Sequence, residues 1–400
     1  MRVAFLGCGY VADFYMATIS YYSNIELVGV YDNNSLRLKQ FCKFYSIQAY
    51  DSFDHLLSDK TIKLVLNLTN PGSHYKTTKR ILLSGKHVYT EKPIALRYKE
   101  ARELFELSKH CGLYFGSAPC SILSETAQTI SKALKDNSIG PVRLVNARFD
   151  AGMTHRLSAN NWVSVSGAPW PIKDEFEVGC TYEHAGYFLT WLASFFGPAK
   201  SVSAYASIQV PDKGIKLDVK TPDFSAGCIE YANGIVANVT CSILAPLDRS
   251  LTIIGDKGTI YVRDIRDDTC PVYISATPPN KIINAVEYRL GFWTNKIENF
   301  LNFVPWAWGR DWRFRKRYKY AVPLKRRISA KFKPVDFCRG PSDLIDAINN
   351  HKESIVSAEI GVHINEIIEV LQYPEKFGGL KKLQSSFTKN SKEISKLCVD

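Results

Sequence analysis

A doubly wound parallel α/β domain followed by an α+β domain with an open, mainly antiparallel sheet is the architecture this chain predicts. Three observations carry it. Short apolar strand patterns alternate with helical ones up to about residue 120, a glycine turn follows the first strand, and after Pro198 come β-branched, alternating stretches broken by glycines. The 400 residues, 46% hydrophobic and 12% aromatic, can bury a large core and favour two domains over one.

The first strand, "VAFLG", turns into the helical pattern "CGYVADFYMATI", giving Gly7-x-Gly9-x-x-Ala12, the dinucleotide fingerprint. Gly7 permits the tight turn, Gly9 lets the backbone approach a pyrophosphate, and Ala12 lets the helix pack closely on the strand. A second strand, "IELVGVYD", ends in Asp32, about twenty residues on, where an acid meets the adenosine ribose hydroxyls. A carboxylate there repels a 2′-phosphate, so NAD is expected, with NADP open because Asn33, Asn34 and Arg37 could contact one. The bland alternative is an ordinary strand-to-helix turn with Asp32 as a helix cap. Two more strands, "LVLNLT" and "HVYTE", each follow a helical pattern, completing a Rossmann-type domain. Between them, Asn70-Pro71-Gly72-Ser73-His74 reads as a turn in which Ser73 caps the next helix. His74 is then either a surface residue at the helix start or a wall of the cofactor site.

The fourth strand runs into Glu91-Lys92-Pro93, which puts Lys92 at the carboxyl end of a parallel strand, where doubly wound folds bind ligands. With the fingerprint, this resembles the glucose-fructose oxidoreductase, inositol dehydrogenase and MocA (Gfo/Idh/MocA) family. The resemblance implies an NAD(P)-dependent dehydrogenase or reductase acting at a secondary alcohol or ketone of a sugar, nucleotide sugar or polyol. It points Lys92 at the substrate hydroxyl and adds Asn70, His74 and Glu91 to Gly7, Gly9, Ala12 and Asp32 as cofactor-binding residues. Thr69 and His74 stand where the family often writes Thr-Pro-Asn-x-x-His, with Asn and Pro exchanged. "GSAPCS", Gly116 to Ser121, departs from the arginine-containing segment of many members.

The resemblance also implies a second-domain helix bearing an acid and, four residues later, a histidine. Counting back from Trp191-Leu192 in "GCTYEHAGYFLTWL" puts the histidine at His184 and the acid's place at Cys180, so Glu183 or Glu177 must stand in. His184 is the first candidate for general acid-base. Tyr187, three residues on and on the same face, is the second. A buried helix with internally satisfied polar groups is the alternative. The preceding "APWPIKDEFEVG" reads as a loop, with Trp170, Lys173 and Asp174 at a pocket mouth.

Beyond Pro198, "SVSAYASIQV", "DFSAGCIEYA", "GIVANVTCSIL" and "SLTIIGDKGTIYVRD" are expected strands, with a hairpin at "YANGIVAN". The resemblance makes the exposed face of this sheet a homo-oligomer interface. It also matches the helical ending, where His363 and Glu366 read as surface or core. The division implied is 1-120 for the NAD(P)-binding domain and 121-385 for the substrate domain, with a basic aromatic insertion at about 270-335. Of the formal charge of +12, the segment Arg310 to Lys333, with eleven Lys or Arg and one acid, carries +10. It reads as a solvated or oligomer-contact insertion, a membrane-surface contact or an anionic-substrate clamp, with nucleic acid a disfavoured fourth. Ten scattered cysteines without a Cys-x-x-Cys pair point to reduced thiols and no metal site. A cytoplasmic protein is expected, because the apolar start is too short for a signal peptide and the longest apolar run too short to span a membrane. Two other functions stay open: an NAD-dependent glycoside hydrolase working by oxidation and elimination, and a non-catalytic dinucleotide-sensing regulator.

Overall fold

The computed structural model describes residues 1–156, 162–276, 316–322 and 335–388. Most of the basic segment, and with it the expected membrane contact, lies outside the described residues.

Five strands, β1 (Arg2–Leu6), β2 (Glu26–Tyr31), β3 (Leu64–Asn67), β4 (His87–Thr90) and β5 (Phe115–Ser117), form a parallel sheet in the order β2-β1-β3-β4-β5. They alternate with α1 (Ala12–Ile19), α2 (Ser35–Tyr45), α3 (Phe53–Ser58), α4 (His74–Leu83) and α5 (Tyr98–His110). Because helices cover both faces, the strands are apolar almost throughout; Val3, Ala4, Phe5, Leu64, Val65 and Leu66 are fully buried. β1 pairs with both β2 and β3, so the strand order reverses there and a ligand crevice opens at their carboxyl ends. The turn after β3 departs from expectation. Pro71–Ser73 is a single 3-10 turn running straight into α4, which leaves Ser73 in helical geometry without a side-chain cap bond.

Among the described residues the second sheet has nine strands in the order β13-β12-β11-β10-β6-β9-β8-β7-β14, antiparallel except for the β6–β9 pair. Its members are β6 (Val142–Asp150), β7 (Ala199–Ser207), β8 (Phe224–Tyr231), β9 (Val236–Ser242), β10 (Leu251–Gly255), β11 (Gly258–Val262), β12 (Val272–Ala276), β13 (Lys316–Arg317) and β14 (Leu380–Lys382). The "YANGIVAN" hairpin is β8–β9, with Gly234 at φ +80° in its turn. β6 lies ahead of the region where the sequence predicts strands, yet sits at the centre of the sheet. Val145, Ala147 and Phe149 point inward while Asn146 and Arg148 point out.

The further helices among the described residues are α6 (Glu125–Lys135), α7 (Ile172–Val178), α8 (Cys180–Phe196), α9 (Arg339–Asn349) and α10 (Ala358–Gln372). α7 corrects the expected loop: Pro171 ahead of it and Asp174 and Glu175 in its first turn are helix-start residues. Every residue of α8 is buried. Among the described residues no helix is long and apolar enough to cross a membrane. His363 and Glu366 belong to the core: His363 Nε2 accepts the Ala199 N–H (2.9 Å) and Glu366 accepts the N–H groups of Gln384 and Ser385 (2.9 and 2.8 Å).

Residues 336–356 pack back on the first sheet. Ser117 N–H donates to Val356 O (3.0 Å), the Phe337 ring stacks on Phe14 at 5.1 Å, and Tyr22 Oη donates to Asp336 Oδ2 (2.6 Å). Arg339 anchors this junction among three buried carboxylates, Glu125 at 2.7 Å, Asp268 at 3.4 Å and Asp336 at 3.6 Å. One guanidinium cannot neutralise all three. Burial, only partly opposed by Arg339, pushes the Asp268 carboxyl up to about 7.

Candidate active site

At the reversal between β1 and β3, Gly7 has φ +103°, and a Cβ there would meet Leu68 O at 2.7 Å, so no other residue fits without moving the strand ends. Gly9 has no heavy atom within 4 Å of its would-be Cβ, which leaves its backbone bare toward a cavity. Fully buried Ala12 opens α1, whose N-cap Val11 offers no side-chain acceptor. A bare glycine backbone and an uncapped helix start fit a dinucleotide pyrophosphate. Gly9→Val leaves the backbone unstrained but fills that space, so affinity for NAD should fall roughly tenfold or more at unchanged thermal stability, measured by calorimetry and thermal unfolding.

Asp32 Oδ2 accepts the Cys8 N–H (2.7 Å) and Oδ1 accepts the Asn34 N–H (2.8 Å). Asn34, not Asp32, caps α2, accepting the Arg37 N–H at 3.1 Å. Arg37 is engaged elsewhere as well: Nε donates to Cys8 O (2.6 Å) and the guanidinium holds the carbonyl (2.7 Å) and hydroxyl of Ser166, which in turn donates to Asp13 (2.7 Å). A 2′-phosphate would therefore meet the Asp32 carboxylate and an occupied arginine, which favours NAD.

On the opposite side, β4 delivers Glu91 and Lys92. Glu91 is fixed by Tyr15 Oη (2.6 Å) and by the Lys92 N–H (3.1 Å), which sets the direction of the next side chain. His74, at the start of α4, is fully buried and bridges Thr69 O (2.8 Å) and Pro93 O (2.6 Å), so it braces the site from behind. Burial holds its imidazole below the usual range. Lys92 Nζ lies 2.5 Å from Glu183 Oε2. Burial pulls the Lys92 ammonium down, but Glu183, with Tyr187 and Glu175 behind it, outweighs this and raises it. Burial, reinforced by Glu175 and opposed by Lys92, raises the Glu183 carboxyl.

α8 brings Glu183, His184 and Tyr187 to the same wall. The rings of His184 and Tyr187 both stack on Phe149 of β6, with centroids at 4.7 and 5.4 Å. His184 Nδ1 faces Cys180 O (3.1 Å) and Nε2 faces Glu175 Oε1 (3.1 Å), so both ring nitrogens are engaged. The Tyr187 hydroxyl has no hydrogen-bond partner among the described residues, and Arg266 lies 4.8 Å over its ring.

Gly9, Asn70, Glu91, Lys92, Glu183, His184 and Tyr187 line one cavity of about 410 Å³, with Trp162, Trp170 and Asp174 also in its walls. Gly7, Ala12, Asp32 and His74 build the cavity without lining it. Glu177 and Lys173 turn away: Glu177 accepts the Asp218 N–H (2.6 Å) and Lys173 pairs with Asp218 (2.5 Å). Glu183 is thus the acid facing Lys92. Glu175, Phe149, Arg249 and Arg266 also line the cavity and were not legible beforehand.

The first 117 residues match the model for the oxidoreductase family with an NAD-binding Rossmann fold, and residues 127–261 match the GFO/IDH/MocA C-terminal domain. A bovine (Bos taurus) trans-1,2-dihydrobenzene-1,2-diol dehydrogenase is 25% identical over 243 residues, 60% of this chain and 67% of the relative. The solved aldose-aldose oxidoreductase of Caulobacter crescentus, 18% identical, aligns over 96% of this chain and 99% of its own with a TM-score of 0.71. The WlbA dehydrogenase of Bordetella pertussis, 16% identical, aligns over 96% and 97% with a TM-score of 0.67. With both family models matched in order, and the fingerprint and Glu91-Lys92-Pro93 converging on one cavity, the chain belongs to the Gfo/Idh/MocA family of NAD-binding oxidoreductases.

Proposed function

We infer that the protein oxidises a secondary carbinol of a sugar or sugar-like polyol, or reduces the matching ketone. The observation that carries this is the single cavity running from the bare backbone of Gly9 to Lys92, Glu183 and Tyr187. Bound NAD supplies the hydride acceptor. Lys92 holds its proton at Nζ beside the reacting oxygen, steadied by Glu183, and stabilises the negative charge that develops there. Tyr187 takes the hydroxyl proton as its phenolate and, in the reverse reduction, donates it back from its O–H to the carbonyl oxygen. His184, with its nitrogens committed to Cys180 O and Glu175, positions Tyr187 through their shared stack on Phe149. The proton role thus passes from the histidine favoured by sequence to the tyrosine whose hydroxyl is unengaged. The bovine relative is named for a cyclic vicinal diol, which is two neighbouring secondary carbinols.

A panel of aldoses, uronates, sugar phosphates, nucleotide sugars and inositols with NAD should show net NADH formation on at least one substrate class. Net NADH separates this reaction from an oxidation and elimination cycle, and no NADH on any member would sink it. Tyr187→Phe should lower turnover about 10²- to 10⁴-fold, and His184→Gln less. The reverse order would return the proton role to His184.

The outward face of the second sheet, with Tyr205 63% exposed and Tyr261 and Tyr273 half-buried, is the surface we assign to pairing of two copies. Sedimentation that finds only monomer at micromolar concentration would refute that assignment.

A further inference from the structure

The cavity's cations are unequally matched. Lys92 is paired with Glu183, and Arg249 with Asp264 at 2.6 Å. Arg266 has no such partner: among the described residues its guanidinium makes no hydrogen bond or ion pair, and its Nε is buried without an acceptor. Its backbone N–H donates to Asp264 Oδ1 at 2.8 Å. Arg249 Nε is likewise buried without an acceptor among the described residues. Two acids of the same cavity are committed elsewhere, although Glu175 feels the Arg266 charge. Glu175 is turned to His184 at 3.1 Å and Glu183 to Lys92 at 2.5 Å, and neither forms an ion pair with Arg266.

Burial lowers Arg249, Asp264 opposes this, and Arg266 lowers it further, so the two guanidiniums are close enough to repel. Two like charges in one wall, each with a desolvated N–H lacking an acceptor among the described residues, repel each other. An oxyanion between them would offset both terms. The position matters for chemistry too, because the Arg266 guanidinium lies over the ring of Tyr187 at 4.8 Å, beside the reacting group.

Resting on the oxidoreductase reading and deepening it, we propose that Arg266, with Arg249 beside it, is the subsite for an anionic substituent of the substrate. The substrate is then an acidic sugar, bearing a carboxylate or a phosphate, anchored by its charge so that a carbinol reaches Tyr187 and Lys92. The planar fork of arginine suits either oxyanion in a two-point contact.

Calorimetry on the full chain saturated with NAD, using glucuronate, glucose 6-phosphate and glucose, tests this in the native protein and in Arg266→Gln and Arg266→Lys. At least one anionic sugar should bind about 10- to 100-fold more tightly than glucose, as expected for charge-assisted bonds. Arg266→Gln should abolish that preference, and Arg266→Lys should keep part of it. Glucuronate outbinding glucose 6-phosphate identifies a carboxylate site, and the reverse a phosphate site. Glucose binding as tightly as both anions, no binding of either anion, or a preference that survives Arg266→Gln would overturn the proposal. The readout is a ratio within one variant, so a general loss of stability does not move it. NADH formation followed in parallel keeps the two readings apart. Anion preference without NADH from any sugar upholds the subsite and overturns sugar oxidation, whereas NADH without anion preference does the opposite.

Discussion

Lys92→Met should lower turnover about 10²- to 10⁴-fold while NAD affinity changes little, because the variant removes the charge that acts on the reacting oxygen and leaves the fingerprint loop intact. Met keeps the length of the stem. The complication is Glu183, which loses a partner at 2.5 Å in a buried site. Breaking such a pair commonly costs about 3–5 kcal/mol. Here burial already raises the Glu183 carboxyl, so it takes up a proton and the cost falls below that range. The double variant Lys92→Met, Glu183→Gln removes the stray carboxylate and should regain stability without regaining turnover. Full turnover in Lys92→Met would remove the lysine from the mechanism, and recovery of turnover in the double variant would reduce the pair to packing.

Arg339→Met should be the most destabilising single change considered, by about 3–5 kcal/mol, since it strands Glu125, Asp268 and Asp336 in a buried cluster without a counter-charge. Asp268 supplies the pH dependence. Its folded-state value of about 7 lies above the 3.8 of a free carboxyl, so between those pH values the folded state holds a proton that the unfolded state releases. The stability this contributes is present at low pH and is lost as pH rises from about 4 to about 7. Asp268→Asn keeps the acceptor for the Asp336 N–H (2.8 Å) and abolishes the titration. Between pH 5 and pH 8 the native protein should therefore lose on the order of 2 kcal/mol more than Asp268→Asn, read from urea unfolding. Parallel losses in the two proteins would show that the cluster does not hold the proton.

Much of the cofactor half was legible because its signals are contiguous. Gly7, Gly9, Ala12 and Asp32 act through one turn and the strand beside it, and Glu91-Lys92-Pro93 is a three-residue run at a strand end. Glu183, His184 and Tyr187 shared a helix face for the same local reason. Glu175 escaped because it reaches His184 across a chain reversal at Gly179, whose φ of +93° no spacing rule anticipates. Phe149, on β6, and Arg249 and Arg266, on the segments flanking the antiparallel β10–β11 pair, escaped because strand pairing, not sequence distance, brings them to α8. The Pro and acids of "APWPIKDEFEVG" were read as loop punctuation, whereas they are also what opens a helix. Arg37 looked free to meet a phosphate only while its contact with Ser166, 129 residues away, was out of sight.

The return of residues 336–356 to the first sheet bears on how the protein is made. Tyr15, at the heart of the cofactor domain, is covered by Phe337, and its carbonyl accepts from Cys338 Sγ (3.2 Å) across 323 residues. A nascent chain that has released only its first five strands therefore carries the fingerprint on a sheet whose β5 edge and α1 flank are still bare. Such contacts of very high sequence separation form late and slowly. The cofactor half cannot be finished in the order in which it is synthesised; its last side chains are seated only once α9 and α10 leave the ribosome.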